Sequence, residues 1–315
     1  MEISRIILGT VRFGTDTDKL KSFEIMNRYM ALGGNAFDSA RVYCDWIDGG
    51  SGASEKTVGE FVNSNGIRKN AVIITKGAHH IVDDECRTPR LSGKDITEDL
   101  YKSLDALNTD YIDVYLLHRD DPHREVGEIV EVMHRFVKEG LVKSIGVSNW
   151  KYDRIKKANE YAKKHSLTPL LYNQVEFGRA VINSDFNADP TVERLSKREY
   201  EKFAADSLGV NLMAYSSQSN GFFYKAEKLG AENLTPWLKD KFLNESTLYN
   251  LNLLTDSARK MGVSPAAVAL STVINDKLNI RAVVGANSTE QIEEIMSAEE
   301  LGSKVMRELS EKLRK

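Results

Sequence analysis

The chain reads as an α/β protein closed into a (β/α)8 barrel, and three observations predict it. Short β-rich runs alternate with stretches of helical period along the whole chain. Eight such units can be counted; in series they imply parallel strands with right-handed crossovers, whereas an open doubly wound sheet stops at roughly five to seven strands. The 315 residues suit a barrel, which needs about 250 residues or more. No Pro/Gly/Ser-rich linker interrupts the middle of the chain, so residues 1–315 are expected to form one domain.

In order, the strands are expected at 5–9 (RIILG), 34–38 (GNAFD), 71–75 (AVIIT), 112–117 (IDVYLL), 142–147 (VKSIGV), 170–175 (LLYNQV), 210–215 (VNLMAY) and 280–284 (IRAVV). Helical patterns fall near 19–32, 54–64, 95–108, 125–139, 151–164, 190–207, 246–261 with 265–275, and 289–298. Ser264-Pro265 supplies an N-cap followed by proline at the first helical position, and Thr97 ahead of Glu98 reads as another helix start. Three segments exceed a minimal barrel: a Gly-rich loop at 44–53, an insertion at 216–245 after strand 7, and a charged terminal helix within 299–315. The first two follow C-terminal strand ends, the face where barrel enzymes place their chemistry.

Composition excludes several classes. A 41% apolar and 28% charged chain is that of a globular protein with a substantial core. The net charge of −3 gives no electrostatic case for nucleic acid or an anionic membrane as partner. The lysine-rich stretch 151–165 has apolar positions at helical spacing, so its charges read as a solvated helix face. No run of 18 or more apolar residues and no basic leader occurs, which makes the cytoplasm the expected compartment. Cys44 and Cys86 are too few for a disulfide framework. His79-His80 resemble a metal pair, but neighbours on an extended segment point opposite ways and lack a third ligand at a suitable spacing; no metal is expected. Nothing in the sequence sets an oligomeric state.

The chemistry concentrates at three strand ends. Asp38 and Tyr43 follow strand 2, Lys76 follows strand 3 and His118 follows strand 4. A phenol is a poor acid near neutral pH, since its ordinary pKa is about 10. A neighbouring ammonium stabilises the phenolate and is expected to pull that pKa down, while a carboxylate keeps the ammonium charged and in place. An imidazole can hydrogen-bond the same substrate oxygen. Such a set suits protonation of an oxyanion developing at a carbonyl. The bland alternative, a buried ion pair with two unrelated polar neighbours, explains four residues at three strand ends less well.

The segments FDSARVY, ITKG, DLYKSLDALNTDYIDVYLLHRDD, GLVKSIGVSNW, YNQVEF, AYSS and VVGANSTEQIEE appear in an order and at intervals that closely resemble the aldo-keto reductase family. The resemblance implies a barrel that binds NADP(H) without a Rossmann fold, with Asp38, Tyr43, Lys76 and His118 as its catalytic tetrad. It places Ser148, Asn149 and Gln174 on the nicotinamide carboxamide and Tyr215 against the ring. Ser216, Ser217 and Gln218 would follow the pyrophosphate, and Gly285, Asn287, Gln291 and Glu294 the adenosine end. That end departs from the family pattern: no Lys or Arg lies between Gly285 and Ile295 to pair with a 2′-phosphate. On the rest of the resemblance NADP(H) remains the favoured cofactor, and this departure makes NAD(H) the alternative. Many family members also begin with a hairpin that plugs the barrel bottom, and little chain precedes strand 1 here.

The substrate pocket is expected to include Arg12, Trp46, Arg119 and Trp150, with Phe13 and the aromatic run 222–224. Such walls suit a partly polar carbonyl compound, including a sugar-derived one. The expected reaction is NAD(P)H-dependent reduction of an aldehyde or ketone, with Tyr43 as general acid. The alternatives are NAD(P)+-dependent oxidation of a sugar or cyclitol hydroxyl, and a non-catalytic cofactor-sensing regulatory protein.

Overall fold

In a computed structural model, residues 2–82, 85–186 and 189–313 are described. Eight parallel strands close in the order β1-β2-β3-β4-β5-β6-β7-β8. They are β1 Ile6–Gly9, β2 Ala36–Asp38, β3 Val72–Gly77, β4 Ile112–Leu117, β5 Val142–Ser148, β6 Tyr172–Glu176, β7 Asn211–Tyr215 and β8 Arg281–Val284. Around them run α1 Lys19–Ala31, α2 Ala53–Ser64, α3 Gly93–Leu107, α4 Val126–Lys138, α5 Tyr152–Lys164 and α6 Lys197–Ala205. After β7 come α7 Phe222–Leu229, α8 Pro236–Phe242, α9 Glu245–Met261 and α10 Pro265–Ile274, and after β8 come α11 Thr289–Ser297 and α12 Ser303–Lys312.

Strand alternation decides which side chains reach the site. Ala36, Val72, Ile74, Val114, Leu116 and Met213 fill the barrel interior, while Phe37, Ile73, Tyr115 and Leu117 face the helices. One step further along the inward track stand Asp38, Lys76, His118 and Tyr215. The polar residues therefore form the layer above an apolar floor. Ile3, 7% exposed, joins the interior cluster from below, and Arg281 Nε donates to its carbonyl at 3.3 Å.

Several helix starts differ from the sequence expectation. The helix anticipated at 190–207 begins only at Lys197, because Ser196 accepts from the Glu199 amide and ends the extended approach. Residues 189–195 instead cross the barrel mouth, held by Leu195 N–H donating to the Glu176 carbonyl. The α3 N-cap is Ser92 rather than a residue near Thr97, whose hydroxyl bonds back to the Gly93 carbonyl inside the helix. Ser264 caps α10 as expected, and Thr235 before Pro236 starts α8 in the same way.

The 216–245 insertion is helical and packed. Phe222, Phe223, Leu238 and Phe242 form a second core with α9, α10 and α12. It is fastened to the barrel by Lys241, which donates to Glu176 at 2.6 Å. A buried Arg179 after β6 ties Thr272 and Asp276 to Ser310 on α12. The expected terminal helix is thus an integral wall. No helix among the described residues is long and apolar enough to cross a membrane.

Behind β3, Thr75 points outward and donates to Glu55 of α2 at 2.6 Å. Glu55 is fully buried, and burial pushes its carboxyl up to about 6. A raised carboxyl pKa means that the folded state binds the proton more tightly than the unfolded state. The contribution is full below pH about 4.5 and is lost as pH rises through about 6. The shift corresponds to about 2 kcal/mol. Denaturant titrations should show Glu55→Gln gaining about that much relative to wild type between pH 4.5 and 6.5; a pH-independent difference between the two proteins would contradict it.

Candidate active site

Lys76 is the hub of the polar layer. Its Nζ donates to Asp38 Oδ2 at 2.7 Å, to the Ser39 carbonyl at 2.8 Å and to the Tyr43 hydroxyl at 3.0 Å. All three ammonium protons are used. Asp38 and Lys76 are each 1% exposed, and the other oxygen of Asp38 accepts from Gln174 Nε2 at 2.7 Å. A bond from β6 thereby reaches across the barrel to the carboxylate that holds the lysine.

Charge is balanced by proximity. Burial pushes the Lys76 ammonium down, but Asp38 and Tyr43 together hold it above its ordinary value. Burial pushes the Tyr43 phenol up, against the pull of Lys76. The lowered phenol expected from the sequence is thus reversed in net direction: desolvation outweighs the ammonium. Tyr43 is held in its protonated form, which is the form a proton donor requires.

His118 lies edge-on to Tyr43, with ring centroids 5.9 Å apart. Burial, then Arg119 and His79, push its imidazolium well below the ordinary range. The His79 ring packs 4.7 Å from His118 and 4.0 Å from His80, so the two adjacent histidines share one side. The strand ends at Gly77 and Ala78 turns with a positive φ (60°), so the extended geometry on which they would diverge does not continue through them. Burial also pushes His79 down to about 3. No cluster of three metal-ligating side chains that could hold an ion occurs among the described residues.

Tyr43 and His118 open onto a cavity of about 580 Å³. Its walls include Arg12, Arg119, Ser148, Asn149, Gln174 and Tyr215, and it continues along Ser216, Ser217 and Gln218 to Gly285 and Asn287. A second cavity of about 440 Å³ shares Gln218, Gly285 and Asn287 with the first and adds Gln291 and Glu294. The two form one elongated groove. Within it Ser148 and Asn149 are largely committed. Ser148 donates to the Gln174 carbonyl, while Asn149 Oδ1 accepts from Tyr215 and from the Glu193 amide. Asn149 and Ser216 both take positive φ (62° and 52°), sharp turns that expose strand-end groups at the mouth.

Arg119 lines the cavity, steadied by Thr191 at 2.9 Å and Asp189 at 3.8 Å. Asp120 pairs with Arg154 rather than with Arg119. Two aromatic expectations are moved away from the cavity. Trp150 is 1% exposed in the core, donating to the Arg119 carbonyl, and Trp46 is half exposed outside the lining. Phe222 and Phe223 are buried in the second core, and Cys44 is buried beneath the loop against Thr15. Lys225 was not anticipated: α7 brings it to the cavity wall beside Asn220.

The Aldo/keto reductase family model matches residues 5–314. The chain belongs to the aldo/keto reductase family. Its relatives include an uncharacterized oxidoreductase, YrpG, of Bacillus subtilis, 28% identical over 96% of this chain and 89% of that protein. Norsolorinic acid reductase stcV of Emericella nidulans is 28% identical over 93% of this chain and 73% of that protein. The crystal structure of the thermostable aldo-keto reductase Tm1743 with the inhibitor epalrestat superposes with a TM-score of 0.69. It covers 98% of this chain and 96% of its own at 22% identity, a likeness of fold. Membership makes the chain an oxidoreductase of the carbonyl-reducing, nicotinamide-dependent kind.

One electrostatic consequence is open to direct measurement. In NMR titrations the His118 ring resonances, assigned by their loss in His118→Asn, should not move between pH 8 and about 5.5. A midpoint near the ordinary value of about 6.5 would contradict a neutral, desolvated imidazole.

Proposed function

We propose that this aldo/keto reductase reduces an aldehyde or ketone to an alcohol, with Tyr43 as general acid. The observation that carries the reading is the three-way bonding of Lys76, which sets a protonated phenol beside His118 at the head of the groove. When bound, the reduced nicotinamide supplies the hydride. His118, neutral and 7% exposed, orients the carbonyl oxygen, and Tyr43 passes its proton to that oxygen as negative charge develops there. Lys76 stabilises the phenolate left behind, and Asp38, itself held by Gln174, keeps Lys76 in position.

The groove fits a nicotinamide dinucleotide because its two cavities meet at Gln218, Gly285 and Asn287. Ser148, Asn149 and Gln174 would hold the carboxamide, with the first two exchanging present partners, and Tyr215 would lie against the ring. Ser216, Ser217, Gln218 and Lys225 would take the pyrophosphate, and Gly285, Asn287, Gln291 and Glu294 the adenosine. Arg12 and Arg119 would meet the substrate together with apolar Val11, Phe13 and Val192. Mixed walls of this kind suit a partly polar carbonyl compound, sugar-derived ones included.

A panel of aldehydes, ketones and sugars followed at the nicotinamide absorbance tests the reading. Tyr43→Phe should lower turnover of any active substrate by about 10²–10⁴-fold, with dinucleotide affinity unchanged. A variant retaining most of its turnover would remove Tyr43 as the proton donor.

A further inference from the structure

Building on that reading, we propose that the groove selects NAD(H) over NADP(H) and that Glu290 at the start of α11 sets the choice. The adenosine-end cavity has an apolar side of Ala266, Leu270 and Ile295, suited to a flat base. Its polar rim carries two carboxylates, Glu290 and Glu294, and its described lining contains no lysine or arginine. A phosphate at this rim would meet negative charge without a cation to offset it.

Two amide groups at this helix start are also already engaged. A helix N-terminus ordinarily offers free N–H groups and a positive dipole end to an anion. Here Ser288 Oγ accepts from the Gln291 amide at 3.3 Å, and Gln291 Oε1 accepts from the Asn287 amide at 2.7 Å. Glu290, an acidic residue in the first turn just past the Ser288 N-cap, is held below its ordinary range first by the Ser288 hydroxyl and then by its own backbone amide. The chain thus supplies its own anion where a 2′-phosphate would bind. Glu294 accepts from Ser264 Oγ at 2.6 Å and remains on the rim.

Neighbouring cations do not reverse this. Arg12 and Lys21 line an adjoining recess of about 220 Å³ that shares Arg12 and Asn287 with the main cavity; Asp16 and Asp18 accompany them there, and Lys21 is the weakest of the influences on the Glu290 carboxylate. Arg28 is engaged by Glu293 at 2.7 Å. A ribose 2′-hydroxyl, by contrast, is a donor that a carboxylate accepts, whereas a 2′-phosphate brings further negative charge. A carboxylate that holds a ribose hydroxyl is the same chemical solution used by NAD-binding sites of unrelated fold.

Calorimetric titration of the full chain with NADH and NADPH at low ionic strength tests the proposal without needing a substrate. NADH should bind at least about tenfold more tightly, with the gap narrowing as salt rises. Glu290→Lys should bring the two affinities together or invert them, by tightening NADPH and weakening NADH as the carboxylate that accepts the ribose hydroxyl is lost. NADPH binding as tightly as NADH to the wild-type chain would overturn the selectivity, as would a Glu290→Lys ratio equal to wild type. Absence of binding by both dinucleotides would overturn the reductase reading itself, and the selectivity with it.

Discussion

Lys76 is a fully desolvated cation whose three protons are taken by a carboxylate, a backbone carbonyl and a phenol, and the candidate active site is organised by that constraint. Burying an ammonium and a carboxylate costs several kcal/mol per ion unless each is fully bonded. Each partner here is. Asp38 divides its oxygens between Lys76 and Gln174, so β2, β3 and β6 are joined through one carboxylate. The apolar layer of Ile74, Leu116 and Met213 beneath excludes water and makes these bonds strong. Tyr43 is thereby held where its proton has one direction of useful travel, toward the groove that it lines.

The same burial explains why the local charges differ from a reading of neighbours alone. An ammonium beside a phenol lowers its pKa when solvation is equal, but here desolvation is the larger influence. The same physics leaves His118 and His79 neutral and Glu55 reluctant to ionise. A cleft with Lys76 fixed behind a protonated phenol, a neutral imidazole and Arg119 in its wall is poised for an oxyanion. Its opposite end, with Glu290 and Glu294, has the reverse polarity.

The barrel and its polar layer were legible because both follow from a period of two. Runs such as AVIITKG and YIDVYLLH alternate inward and outward positions, so a lysine or histidine one step past the last buried inward residue must crown the barrel. Aromatic residues beside those motifs were not legible in the same way. Trp150 directly follows Asn149 and reads like a pocket wall, yet it serves as core because Arg119 and Arg154 close over it. The 189–195 crossing was obscured by helix-compatible composition, although Ser196 and Glu199 mark the true start of α6. Lys225 could not be placed because the path of the 216–245 insertion depends on distant packing, including the Lys241–Glu176 pair. The adenosine end was legible as a departure from its relatives' pattern; that the Asn287 and Gln291 amides are internally satisfied required coordinates.

If Tyr43 and Lys76 act through one proton, their contributions cannot be independent. The most direct test is a double-mutant cycle in turnover using Tyr43→Phe, Lys76→Met and the combined variant, each verified as folded. The account predicts strong non-additivity, with the second substitution adding little once the first is made. Losses that multiply would show two independent roles and contradict the coupled proton donor.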